Sequence, residues 1–175
     1  FMGTGIIVCG LNGSGKSTLG KALAKRLDFY FIDNEDLYFP KMDNQYPYAS
    51  PRTYEEAKNL LFHEIKVHEN FVFASVKGNY GKEISPFFQL VVLIDVAKDV
   101  RMQRVRSRSF QKFGNRMLPG GDLYDQEEKF FVFVESRAEN SAEEWAASLN
   151  RPVIRIDGTK PIEENLKIII AHIQR

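Results

Sequence analysis

The chain has 175 residues, 43% of them hydrophobic and 27% charged, which is one domain's worth of ordinary globular sequence and argues against global disorder. Twenty-four Lys and Arg stand against 23 Asp and Glu, a formal net charge of +1. That balance argues against a nucleic-acid coat or a membrane-surface binder, both of which need surplus positive charge. The single cysteine, Cys9, excludes an internal disulfide and a cysteine-built zinc site. His63 and His68 are five positions apart, off a common helical face, so their spacing argues against a histidine-centred metal site. No apolar run approaches the roughly 20 residues that span a bilayer. No basic stretch followed by an apolar core opens the chain, so the expected location is cytoplasmic, with no membrane partner.

Short apolar runs alternate with longer amphipathic segments, the pattern of a parallel α/β sheet. Gly5 to Cys9 (GIIVC) predicts a first buried strand, followed by a glycine-rich turn and a helix from about Lys16 to Arg26 with Leu19, Leu23 and Leu27 on one stripe. Phe29 to Ile32 predicts a second strand that ends in the acidic run Asp33-Asn34-Glu35-Asp36. Leu37 to Arg52, rich in Tyr, Pro and Asn, reads as loop, and Thr53 to Glu56 is a capping box that opens a helix with Ala57, Leu60, Leu61 and Ile65 inward. Phe71 to Val76 predicts a third strand, Lys77 to Gly81 its exit loop, and Leu90 to Ile94 a fourth strand.

Asp95 is expected to cap the next, strongly basic helix. Pro119-Gly120-Gly121-Asp122 breaks the chain before a long acidic amphipathic helix. Within that helix FFVFV (Phe130 to Val134) would suit a strand, but its charged flanks favour helix. Pro152 to Ile156 predicts a fifth strand, and Pro161 stands at the start of a final helix, where its missing N–H does no harm.

The strongest chemical signal is Gly10-Leu11-Asn12-Gly13-Ser14-Gly15-Lys16-Ser17, a complete G-x-x-x-x-G-K-[ST] run with an apolar strand before it and a helix after it. Glycines let the backbone curl until successive N–H groups point at phosphate oxygens, and the helix adds the positive end of its dipole. A lysine at position 16 reaches between the terminal phosphates as a mobile charge, and a hydroxyl at position 17 ligates Mg²⁺. The expected nucleotide-binding set is therefore Gly10, Asn12, Gly13, Ser14, Gly15, Lys16, Ser17 and Thr18.

The phosphate loop, the acids at the end of the second strand and the basic arm before the penultimate helix together resemble the small P-loop kinases, which include shikimate kinase, gluconate kinase and the nucleoside monophosphate kinases. The resemblance implies a single domain over 1–175 with a three-layer α/β P-loop NTPase fold. Its five-stranded parallel sheet would run in the order 2-3-1-4-5, with helices on both faces and a lid at about 109–122. It implies an ATP-dependent phosphotransferase, a monomer or homodimer, with ATP and Mg²⁺ as cofactors and a small-molecule acceptor of shikimate/gluconate or nucleoside/nucleotide type.

Asp33-Asn34-Glu35 sits where shikimate kinase-like enzymes have Asp-x-Asp. By that likeness Asp33 accepts the acceptor's proton or holds Mg²⁺, and Glu35 contacts the acceptor. Between Arg101 and Arg116 the chain carries basic residues and no acid. Phe113 to Leu118 resembles the shikimate kinase lid, which places Arg108 near the adenine and Arg116 on the transferring phosphoryl group. Arg137 follows at the distance of the family's substrate-anion arginine, and Gly78 and Tyr80 fall where the family cradles its acceptor. The third strand supplies no Walker B acid; the fourth, LVVLID, fits that pattern with Asp95, which reads more readily as a helix cap, so Asp33 is the preferred metal-proximal carboxylate over Asp95, with Ser75 as a supplement. The missing acid on the third strand gives weight to an alternative, an ATP-binding regulatory or RNA-associated module with little or no kinase activity.

Overall fold

The five apolar runs all become strands, and all five run parallel. A computed structural model describes residues 3–40 and 46–174. The strands β1 (Gly5–Cys9), β2 (Tyr30–Asp33), β3 (Phe71–Ser75), β4 (Leu90–Asp95) and β5 (Val153–Asp157) form one sheet in the order β2-β3-β1-β4-β5. β1 is central, with Ile7 opposite Phe73 of β3 on one side and Val91 of β4 on the other.

The helices are α1 (Lys16–Leu27), α2 (Asn34–Tyr38), α3 (Tyr54–Val67), α4 (Lys98–Phe113), α5 (Tyr124–Ser136), α6 (Ser141–Ser148) and α7 (Ile162–Ile173). β1 carries no polar side chain because helices cover both faces of the sheet. Ile6 and Val8 pack with Leu19 and Leu23 of α1 and Leu166 and Ile169 of α7. Ile7 and Cys9 turn the other way, into a cluster with Leu61 and Ile65 of α3 and Ala146 of α6. At the middle of this sheet burial pushes the Cys9 thiol up to about 12.

Local chemistry sets the helix ends. α1 stops at Asp28, which takes the left-handed conformation at φ 58°. α3 opens with the expected capping box: Glu56 N–H donates to Thr53 Oγ1 and Thr53 N–H to Glu56 Oε1. FFVFV is helical, as its flanks predict. Phe131 and Val134 are buried beside Val105 and Met117 in a small core between α4 and α5, while Val132 and Phe133 face outward.

Three expectations are corrected. Asp95 is not a helix cap: Val96 and Ala97 intervene before α4, and the carboxylate instead makes a two-point pair with Arg155 of β5, at 3.1 Å on each oxygen. The acidic helix is two helices, α5 and α6, interrupted at residues 137–140. The stretch read as loop after Leu37 takes in the end of the short α2, and its residues 41–45 lie outside the described residues.

Candidate active site

The C-terminal edge of an open parallel sheet is where loops diverge and leave a crevice. Here β1 ends at Cys9 and α1 starts at Lys16, so residues 10–15 must turn the chain within one short loop. Gly13 and Gly15 adopt φ of 84° and 90°. A Cβ on Gly13 would lie 2.5 Å from the Arg101 carbonyl oxygen, so both the handedness and the close approach require glycine there. Gly10 is buried behind the loop. Gly15 stands at the N-cap of α1 with no side-chain cap, which leaves the first-turn N–H groups available to an anion. The Ser14 hydroxyl is buried in this loop without a hydrogen-bond partner. A curled loop, an uncapped helix start and an unsatisfied buried hydroxyl make a donor set that fits phosphate oxygens.

Lys16 and Ser17 line the same cleft. Burial pulls the Lys16 ammonium down to about 8; Asp33 and Glu35 oppose that shift, and the nearby Arg137 and Arg108 add to it. Thus the carboxylates and the cations that the sequence singles out separately lie within electrostatic reach of one lysine. The cleft has a volume of about 1360 Å³, above the roughly 300–1,000 Å³ of a pocket for one ligand. It has room for a nucleotide and an acceptor together.

The basic run divides by helical face. Arg101 is buried, and its guanidinium donates to Val96 O, to Asn12 O at 3.3 Å and to both Glu139 oxygens at 2.9 Å. Arg104, one turn later, donates to Gly13 O at 3.2 Å and to Gly158 O at 3.0 Å, tying the phosphate loop to the β5–α7 connection. Arg108 and Lys112 continue along this face and approach Glu35 at 3.9 and 3.8 Å. Arg106 points elsewhere, over the Phe131 ring of α5.

Arg116 does not join the cluster. After α4 a 3₁₀ turn (Gly114–Met117) carries it to a two-point pair with Asp122 at 2.8 and 3.0 Å, and it is not among the residues that line the cleft. Arg137 does join. At the end of α5 its guanidinium donates to Asn12 Oδ1 at 3.0 Å and lies over the Phe133 ring.

On the opposite side of the cleft, Asp33 ends β2 and its Oδ1 accepts from Glu35 N–H, capping α2. Glu35 accepts from the Tyr48 hydroxyl at 2.8 Å. Tyr80 lines the cleft but is largely buried, its hydroxyl donating to Asn34 Oδ1 and its ring stacked under Tyr54. Gly78 is closely packed, since a Cβ there would meet Ile7, Phe88 and Trp145 within 2.9 Å, and it is not among the residues that line the cleft. Ser75 donates to Lys77 O, within its own exit loop.

The loop holding Tyr46 and Tyr48 spans to the far wall. Tyr46 donates to the buried Glu127 of α5, and Tyr48 accepts from Lys112 at 2.8 Å. Sequence gives no signal for Glu127, one acid among many in its helix. The four-residue spacing of Arg104, Arg108 and Lys112, by contrast, does mark their common face.

Among the described residues no group of three or more His, Cys, Asp and Glu side chains is placed to hold a metal ion. Mg²⁺ bound through nucleotide phosphates, water and one hydroxyl needs no such group. Nor, among them, is any helix long and apolar enough to cross a membrane.

Sheet order and phosphate loop together define a P-loop NTPase. More narrowly, residues 6–116 match the family model described as AAA domain, and the chain belongs to that family. It is 29% identical over 176 residues to YqaC of Bacillus subtilis (strain 168), an uncharacterized protein, with 96% of each chain covered. It is 28% identical over 132 residues to a shikimate kinase of Synechococcus sp. (strain RCC307), covering 70% of this chain and 64% of that one.

Among solved structures, a gluconokinase from Sinorhizobium meliloti 1021 superposes with a TM-score of 0.57 at 18% identity, covering 98% of this chain and 91% of that one. A shikimate kinase from Bacteroides thetaiotaomicron gives 0.58 at 19%, covering 98% and 99%. At these identities the likeness is one of fold.

Proposed function

We propose that the chain transfers the γ-phosphoryl group of Mg-ATP to a hydroxyl of a small-molecule acceptor. The observation that supports this reading is the meeting of two unlike halves in one cleft: the phosphate loop with Lys16, and the carboxylates Asp33 and Glu35 at the end of a different strand.

In this reading the backbone from Asn12 to Thr18 holds the donor phosphates, and Lys16 carries the charge that grows on them. Arg137 and Arg108 add positive charge at the same place, which suits a loose transition state governed by positioning and electrostatics. The Ser17 hydroxyl would hold Mg²⁺, with Asp33 as the nearby acid. Asp33 also accepts the acceptor's proton, and Glu35 orients the acceptor. Arg116 would reach the phosphates only after leaving Asp122, so in the arrangement described Arg137 takes the place expected for it.

The test follows the label of γ-labelled Mg-ATP in the presence of a small-molecule metabolite extract. Wild-type protein should move label into an acid-stable organic product. Asp33→Asn should lose that transfer yet keep ATP affinity within a few fold, whereas Lys16→Ala should lose both. Label appearing only as inorganic phosphate would overturn the phosphotransferase reading in favour of an ATP-binding regulatory module.

A further inference from the structure

Two side chains from the short connection between α5 and α6 converge on one residue of the phosphate loop. Arg137 donates to Asn12 Oδ1 at 3.0 Å. Glu139, two positions on, holds the buried Arg101 with both oxygens at 2.9 Å, and Arg101 in turn donates to the Asn12 carbonyl at 3.3 Å. Asn12 is thus gripped by its side chain and by its backbone. Positions two apart on a helix do not share a face, so an uninterrupted helix could not send both residues to this spot. The break at residues 137–140, which no glycine or proline marks, allows it.

The two arginines differ in what balances their charge. Arg101 has Glu139, and a cation so deeply buried needs such a partner. Arg137 is partly stripped of water, which loosens its proton, yet among the described residues no carboxylate pairs with it; its polar partner is a neutral amide. A partly dehydrated guanidinium without a counter-charge suits an anion with several oxygens. Two facts place that anion. The guanidinium is anchored on the loop whose donors fit phosphate oxygens, and it acts on Lys16 together with Asp33 and Glu35, the acids at the transfer end of the cleft.

We propose that Glu139 is a positioning residue: through Arg101 it holds the α5–α6 connection on Asn12 and keeps the Arg137 guanidinium at the terminal phosphate, so that the cleft prefers a nucleoside triphosphate to the diphosphate. This rests on the placement of Arg137 at the donor phosphates in the reading above. Glu139 itself touches no phosphate; it neutralises the buried Arg101, and without it that cation would have no carboxylate to keep the connection in place.

The experiment measures, by calorimetry on the full chain, the Kd of Mg-ADP and of the Mg complex of the non-hydrolysable β,γ-imido analogue of ATP. Wild-type protein should bind the analogue about tenfold or more tighter than the diphosphate, and Arg137→Gln should remove most of that preference, as expected for a charged hydrogen bond to phosphate. Glu139→Gln should reduce the preference about threefold or more while leaving Mg-ADP affinity nearly unchanged, and in the Arg137→Gln background it should cost nothing further. Asn12→Ala releases Arg137 from the other side and should repeat the selective loss; it decides the matter if Glu139→Gln fails to fold. Equal weakening of both nucleotides, or the same loss with and without Arg137, would make Glu139 merely structural and overturn the proposal. So would a full wild-type preference in Arg137→Gln or in Asn12→Ala. Neither nucleotide is turned over here, so this proposal can fail while the label experiment still finds phosphotransfer, and it can hold where that experiment finds none.

Discussion

A lysine that gives up its proton near pH 8 binds phosphate only in the fraction that keeps it. Lys16 sits at that point because its burial outweighs the two carboxylates nearby. Mg-ATP affinity should therefore fall as pH rises through about 8, and binding should take up protons there. Calorimetry in two buffers of different ionisation heat reads that uptake directly, and a Lys16→Met variant should show none. For folding without nucleotide the sign reverses. The unfolded chain holds this proton up to about 10.5 and the folded chain releases it near 8, so Lys16's contribution to stability rises with pH between those values. Gly13→Ala tests the loop itself. Its φ of 84° and the 2.5 Å approach to a backbone carbonyl predict a loss of about 1–3 kcal/mol, seen as a lower Tm, together with loss of ATP binding. Residues whose placement is local were legible from sequence: the motif alone puts Lys16 and Ser17 at the start of α1, where both line the cleft. Arg137 was visible as a candidate, but its partner Asn12 lies 125 positions away, beyond any pattern in neighbouring residues.

Elements were read best where one stretch of sequence settles its own conformation. The capping box at Thr53 is such a case, and Thr53→Ala should cost about 1 kcal/mol of stability. Because Thr53 only starts α3, ATP affinity should not change; thermal unfolding and calorimetry separate the two effects. The failures have a common cause in tertiary demand. Asp95 looks like a cap, yet Arg155 on the neighbouring strand takes its carboxylate and the helix begins later. The break between α5 and α6 has no Gly or Pro to announce it; the helix ends at Arg137, whose guanidinium reaches Asn12. Arg104 shows the same demand in a favourable form, bonding two carbonyls from distant loops. Arg104→Gln should loosen both loops. With hydrogen bonds to a charged group worth about 1.5–3 kcal/mol each, the expected result is at least a tenfold weaker ATP affinity, accompanied by a lower Tm.

For the molecule as a whole, the alternation of strands and helices announced a parallel α/β sheet, and the resemblance to the small P-loop kinases supplied its order, which the structure has. What the order could not convey is that one loop bridges the cleft to its far wall, by Tyr46 on Glu127 and by Tyr48 on Lys112. The same topology has a consequence for the chain's one cysteine. Cys9 lies on the central strand, between Ser75 and Leu93 of its two neighbours, with its thiol pushed up to about 12. A thiol reagent can reach it only when the sheet itself comes apart, so the rate of alkylation becomes a clock for global opening that needs no added probe. Nucleotide present at a hundred times its Kd should slow that clock about a hundredfold. Ligands could then be ranked by how long they keep a single sulfur silent.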